Sequence, residues 1–315
     1  MPFAFCLGAV LFSQGQASFK AGTSLVPIYV TVTDEAGHLV RDLTADDFEV
    51  RDNGRRKPLA FFTSDRQPFS VVVMLDRSGS MADNFNLIRD AASEFVGQMQ
   101  PADRARIGSF SDEIRIDPES FSGDRAELMQ ILHDRLQDPG PSPVWTAIDT
   151  SITALLPREG RRVVLVFSDG HDDPGRSQVK TTLDDVLRRA RVDEIMVYSI
   201  GFTAVTSRST SWSMPAGGGR YPVPQRQASV SKHVQKPHKG LKMLAEESGG
   251  GYFELHDTED LNATFVRVAE ELHQQYLLAI ETDRLDGTTH ELEVKVKRRG
   301  ADARARKSYV AEARK

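Results

Sequence analysis

Val71-Val72-Val73-Met74-Leu75-Asp76-Arg77-Ser78-Gly79-Ser80 is the stretch that decides the fold. Five apolar residues in a row read as a buried strand. The strand ends in Asp-x-Ser-x-Ser, and a helical pattern begins at Phe85. A loop between a buried strand and a helix is where open α/β sheets place their ligand sites. Asp76, Ser78 and Ser80 put three hard oxygen side chains on that loop. This is the ligand chemistry of Mg²⁺ or a similar hard cation, not of zinc.

Downstream of this stretch, strands alternate with helices. That pattern predicts an α/β fold, a doubly wound, mostly parallel sheet with helices on both faces. A helix is expected over about 84–99, with Phe85, Ile88, Ala92, Phe95 and Met99 on one face. Residues 104–110 and 113–116 read as a strand pair, and Asp124 as the cap of a helix. Ser142-Pro143 reads as a cap followed by proline at the first helical position. A second apolar strand over 161–167 ends in Ser168-Asp169-Gly170. Thr182-x-x-Asp185 opens a further helix as a capping box, and 195–201 is a third buried strand. The last helix carries Leu261, Phe265, Val268, Leu272 and Tyr276 on one side.

In such a sheet the carboxyl ends of parallel strands share one edge. Asp76, Ser78 and Ser80 therefore meet Asp169 there, with Thr146 near the amino end of the helix before the second strand. Two carboxylates and three hydroxyls are an oxygen set for a divalent cation that retains open positions. The eight histidines are scattered, with no His-x-x-x-His pair, which argues against zinc.

These residues resemble the metal-ion-dependent adhesion site of von Willebrand factor type A domains. The resemblance implies that Ser78, Ser80 and Thr146 contact the metal, Mg²⁺ or else Mn²⁺ or Ca²⁺. It implies that Asp76 and Asp169 contact it directly or through water. It also implies a protein partner whose carboxylate fills the open position. Where that family commonly has Gly-Gly before the Thr, this chain has Val144-Trp145. Arg77, Trp145, His171 and Asp172 are the candidate rim facing a partner. Two plainer readings stand beside them: an indole that covers the core, and a polar turn at 171–173 that uses Asp for local hydrogen bonding. Val30-Thr-Val-Thr-Asp, Leu43-Thr-Ala-Asp-Asp-Phe-Glu-Val50, Gln275-Tyr-Leu-Leu and Arg304-Ala-Arg-Lys-Ser-Tyr309 extend the likeness. They are similar to a bacterial von Willebrand-A-related subfamily, common in Acidobacteria and often exported.

The flanks read differently from the centre. Residues 25–63 hold short strands, with an Asn53-Gly54 hairpin signal. The end reverts to strands: Tyr276-Leu-Leu-Ala-Ile280 reads as one, and further on Leu292, Val294 and Val296 alternate with charged residues. Neither end has strands enough to bury two faces, so residues 18–66 and 281–315 are expected to form one β-sandwich. The α/β unit, 67–280, emerges from it. Within that unit, 203–240 is rich in Ser, Thr, Gly, Pro, Arg and His, a composition that favours disorder over the other reading of so long a connection, an ordered lid.

At 315 residues, 39% hydrophobic and 27% charged, the chain is an ordinary globular mixture. A net charge of -5 gives no bulk attraction for nucleic acid. The basic run over 295–307 reads as a solvated strand face. Residues 1–17, an apolar run followed by small residues, resemble the core of a secretory signal without its basic start. Export to the periplasm, cell surface or medium is the matching expectation, with no further membrane span. Two other functional readings remain open at this level: a metal-assisted hydrolase or phosphotransferase, and a structural domain with an empty site. The first lacks a Walker loop, and its Asp-x-Ser differs from the Asp-x-Asp of aspartyl phosphotransferases.

Overall fold

The computed structural model describes residues 24–136, 138–173, 175, 180–209, 230–256, 260–282 and 285–311. The segment read as a signal, 1–17, lies outside the described residues.

In chain order, β1 (Ser24–Asp34), β2 (Phe48–Asp52), β3 (Arg55–Lys57) and β4 (Leu59–Thr63) come first. The α/β unit follows with β5 (Phe69–Asp76), α1 (Phe85–Gln98), β6 (Arg104–Phe110), β7 (Ile114–Ser122) and α2 (Arg125–Asp134). It continues with α3 (Val144–Leu155), β8 (Arg161–Ser168), α4 (Leu183–Val192) and β9 (Met196–Phe202). Then come β10 (Ala204–Ser209), β11 (Val230–Gln235), α5 (Lys239–Ser248), β12 (Tyr252–Leu255) and α6 (Leu261–His273). The chain closes with β13 (Tyr276–Thr282), β14 (Thr289–Val296), β15 (Ala301–Arg304) and β16 (Ser308–Val310).

The central sheet has the order β12-β9-β8-β5-β6-β7, parallel throughout except for the β6–β7 pair. Every residue of β5 is buried, as a strand with helices on both faces requires. Val71, Val73 and Leu75 pack with residues of α1, α2 and α6. Val72 and Met74 face α3, α4 and α5. From β5 the chain winds first toward β6 and later returns to β8 on the other side. The carboxyl ends of β5 and β8 thus flank the point where the winding direction switches, the place where sheets of this type leave a crevice.

The flanking strands form two four-stranded antiparallel sheets, β15-β1-β13-β4 and β16-β14-β2-β3. Each takes two strands from either end of the chain. Ile28, Val30, Val50, Leu278, Ile280, Leu292 and Tyr309 share the core between them. β13 belongs to this pair of sheets, so the α/β unit hands over near residues 274–275 rather than at 280. Tyr276 continues the helical spacing of Leu272, yet it lies in β13 and not on the last helix. Its hydroxyl donates to the carbonyl of Val40 at 2.9 Å, inside the sandwich.

β7 runs to Ser122, six residues beyond the expected 116. Pro118 and the polar residues after it hide the strand pattern, and β7 tolerates them because it is the edge of the sheet. The segment 203–240, expected to be disordered, begins and ends as an antiparallel ribbon of β10 with β11, from Ala204 opposite Gln235 to Ser209 opposite Val230. Residues 210–229 lie outside the described residues. β10 runs beside the 3₁₀ turn over Gly79–Asn84, which places the ribbon at the carboxyl edge of the sheet. Among the described residues no helix is long and apolar enough to cross a membrane.

Candidate metal centre

Asp76 closes β5, and Asp169 follows Ser168, the last residue of β8. The backbone at Arg77 still donates to Phe110 of β6, 3.0 Å, so the sheet holds the start of the loop in place. Ser78 then precedes the 3₁₀ turn, in which Met81 is fully buried and anchors the loop from below.

Asp76 is fully buried and accepts hydrogen bonds on both carboxylate oxygens. Oδ1 takes the amide of Ser78 at 2.8 Å. Oδ2 takes the hydroxyls of Ser168 at 2.5 Å and Ser142 at 3.0 Å. Ser78 Oγ and Ser80 Oγ stand 3.0 Å apart, and Ser80 Oγ donates to Asp169 Oδ2 at 2.8 Å. Asp169 Oδ1 accepts the amide of His171 at 3.0 Å. Four of the five expected ligands are thus joined in one hydrogen-bonded string. Thr146 stands in the first turn of α3, half-buried, and its hydroxyl makes no hydrogen bond among the described residues. The structure does not tie it to the other four.

Burial pushes the Asp76 carboxyl up to about 6, and the neighbouring charge of Asp169 pushes the same way. The hydrogen bonds from Ser168 and from the Ser78 amide pull it back. Among the described residues no basic side chain lies within ion-pair distance of Asp76. Asp169 has only His171, whose Nδ1 is 3.6 Å from Oδ1, beyond hydrogen-bond reach. Two carboxylates and several hydroxyls, without a strong internal counter-charge, fit a hard divalent cation. Asp76, Ser78, Ser80 and Asp169 could hold one, with Thr146 nearby on α3.

Neighbouring backbone fixes this edge. Ser142 and Asp173 exchange both amide–carbonyl bonds, 3.0 and 2.8 Å, and the amide of Gly140 donates to Arg77 O at 3.1 Å. His238, just before α5, donates its amide to Asp169 O at 2.9 Å. Gly170 must be glycine: its φ is +73°, and a Cβ there would meet Leu241 Cδ1 at 2.9 Å.

The candidate rim divides. Trp145 is only 6% exposed and packs its ring edge-on to His238, centroids 5.7 Å apart. It is a wall of the core rather than part of the rim, because its large ring gains most by burial. Asp172 accepts the amide of Trp145 at 3.3 Å and so caps the amino end of α3. Arg77 lays its guanidinium over the Phe85 ring, and burial lowers its pKa to about 10. His171, with its side chain 39% exposed, is the rim residue open to solvent beside Asp169.

Three contributors escaped the sequence reading. Ser142 was expected to cap a helix but turns its hydroxyl onto Asp76, and α3 begins one residue later than expected, at Val144. In the sequence Ser168 reads as the end of the strand, and His238 as part of a segment whose composition favours disorder. Only Ser168, beside Asp169, carried a local signal.

A family model described as von Willebrand factor type A domain matches residues 70–265. Among solved structures, BatB of Bacteroides thetaiotaomicron, described as a conserved hypothetical protein, is 17% identical. That match spans 65% of this chain and 98% of BatB, with a TM-score of 0.46. A von Willebrand factor type A protein from Catenulispora acidiphila is 12% identical over 93% of this chain and 75% of its own, TM-score 0.49. Proximal thread matrix protein 1 from the mussel byssus, solved with a zinc-occupied MIDAS motif, is 12% identical. It spans 71% of this chain and 50% of its own, TM-score 0.50. At such identities the likeness speaks for the fold alone. No curated protein matches the chain.

Proposed function

The chain belongs to the von Willebrand factor type A domain family, and from that premise we propose that its carboxyl sheet edge is a divalent-metal-dependent protein-binding site. The observation that carries this reading is the pair Asp76 and Asp169, buried at adjacent strand ends and linked through the Ser78 amide and the Ser78 and Ser80 hydroxyls. Asp76, Ser78, Ser80, Thr146 and Asp169 hold Mg²⁺, or Mn²⁺ or Ca²⁺ in its place. When bound, the cation supplies an electron-poor open position, because hydroxyl ligands neutralise less of its charge than carboxylates do. A carboxylate of a protein partner completes the coordination, as in the metal-ion-dependent adhesion sites of this family.

This chain's own residues do the rest. Ser142 and Ser168 orient Asp76, and the amide of His171 orients Asp169. His171 stands where a partner passes. The strands after 203 border the same edge and help to select who approaches. The protein acts by binding, not by catalysis, and works outside the cytoplasm.

A pull-down on the full chain tests this, with Mg²⁺ or EDTA, using wild type and Asp76→Ala. A partner retained only by metal-loaded wild type supports the reading. Identical capture by the variant, or in EDTA, sinks it. Phosphate-ester hydrolysis that needs metal and Asp76 would favour the catalytic reading instead.

A further inference from the structure

At the opposite edge of the sheet lies a cavity of about 640 Å³, between the α/β unit and the sandwich. It is within the size range of small-molecule sites, which often form where two structural units meet. Pro27, Tyr29, Arg306 and Ser308 of the sandwich line one side, and the starts of β8 and β9 line the other.

Its charge is unusual. Five arginines and three glutamates line it. Two of those arginines have structural work: Arg306 Nη1 pairs with Glu194 at 2.9 Å, and Arg191 stands 3.9 Å from Glu247. Arg191 also sits in the last turn of α4, where a cation suits the helix dipole. The other three cluster before and at the start of β8 and are held by neutral acceptors. Arg158 Nε donates to Ser70 Oγ at 3.0 Å. Arg161 donates to Gln275 Oε1 at 2.8 Å and to the carbonyl of Gln67 at 2.6 Å. Arg162 donates to the carbonyl of Asp193. None of the three has a carboxylate at ion-pair distance among the described residues. Arg161 is 2% exposed; its guanidinium lies over the Tyr29 and Phe69 rings, and the charge of Asp103 acts on it only from beyond ion-pair distance. Burying an unpaired charge is unfavourable, and a guanidinium is the side chain best shaped to receive an oxyanion. Burial lowers the Arg161 pKa to about 10, which leaves it charged at neutral pH.

We propose that this cavity binds a small oxyanion-bearing molecule, a phosphate or a carboxylate, through Arg158, Arg161 and Arg162. Ser308 lines the facing wall, and its Oγ has no hydrogen-bond partner among the described residues. A ligand held there bridges the α/β unit and the sandwich. β8 runs from Arg161 at this cavity to Ser168 at the metal edge, about 23 Å away at the usual strand rise, so the two sites are separate.

The test is calorimetric titration of the full chain with inorganic phosphate and, separately, succinate, with sodium chloride at matched ionic strength as the control. Arg158→Gln/Arg162→Gln is the variant, since both side chains reach solvent and their loss leaves the core intact. Saturable heat with either anion, weakened at least tenfold in the variant while Mg²⁺ titration is unchanged, supports the proposal. The anion that binds identifies the source of the oxyanion. No heat beyond the chloride control with either anion, or equal binding by the variant, overturns it.

Discussion

The molecule buries acids in two kinds of place and treats them differently. Away from the carboxyl edge of the central sheet, each buried acid among the described residues has a basic partner built into the chain. Asp103 meets His273 at 2.7 Å, and Asp52 meets His290 at 2.7 Å. Glu271, fully buried, lies between Arg304 and Arg267 with the hydroxyl of Tyr198 beside it. At the carboxyl edge, Asp76 and Asp169 are as deeply buried but are held by hydroxyls and amides, and the one basic group beside them, His171, stands 3.6 Å from Asp169, beyond hydrogen-bond reach. The first group holds the fold together. The second pair lacks only a positive charge, and the proposed function draws that charge from solution.

Removing the partner of an internal pair leaves a stranded buried charge, with the largest expected effect. Arg304→Met combined with Arg267→Met, which takes both arginines from Glu271, should destabilise the protein by about 3–5 kcal/mol, read as a lower denaturation midpoint at unchanged slope. If that change proves neutral, the internal pairs are not what separates the two regions.

Metal should then act on the other region as a ligand that binds only the folded state. Mg²⁺ at a hundred times its dissociation constant should stabilise wild type by about 2.7 kcal/mol, and EDTA should reverse it. Asp76→Asn should abolish that gain.

The same substitution should stabilise the metal-free protein, the opposite of the effect at Arg304. The Asp76 carboxyl stands at about 6 in the fold against 3.8 outside it. Between those values the folded state holds the proton and the unfolded state does not, so stability present below pH 4 is lost as pH rises through 6. Metal-free Asp76→Asn and wild type should match near pH 4. By pH 7 the variant should lead by up to about 3 kcal/mol, at 1.36 kcal/mol per pH unit. A constant difference across that range would contradict the assignment.

The smallest effect belongs to Ser142→Ala. It removes one of the three hydrogen bonds to Asp76 and should cost about 1 kcal/mol, with Mg²⁺ affinity falling only a few-fold. A complete loss of metal binding would make Ser142 a ligand in its own right.

How much of this was legible in the sequence depends on the range of the interactions. The apolar run 71–75, the Asp-x-Ser-x-Ser loop and the caps at Asp124 and Thr182 are local, and the structure repeats them. The interleaving of the two chain ends followed from counting strands. The role of Ser142 was hidden because Ser-Pro before a helix has an equally good local explanation, and only the crossing of distant segments shows its hydroxyl on Asp76. Trp145 read as either cover or rim for the same reason. The arginine cavity was invisible, since Arg158, Arg161 and Arg162 resemble an ordinary charged strand entry until Gln275 and the sandwich close over them.

The central claim is that the Asp76–Asp169 pair takes its missing charge from a divalent cation. Calorimetric titration of Mg²⁺, with Mn²⁺ in parallel, into the metal-free full chain tests it most directly. One ion per chain, bound by wild type and not by Asp76→Ala, is the predicted result. No saturable binding by the folded wild type, or the same binding by the variant, would contradict it.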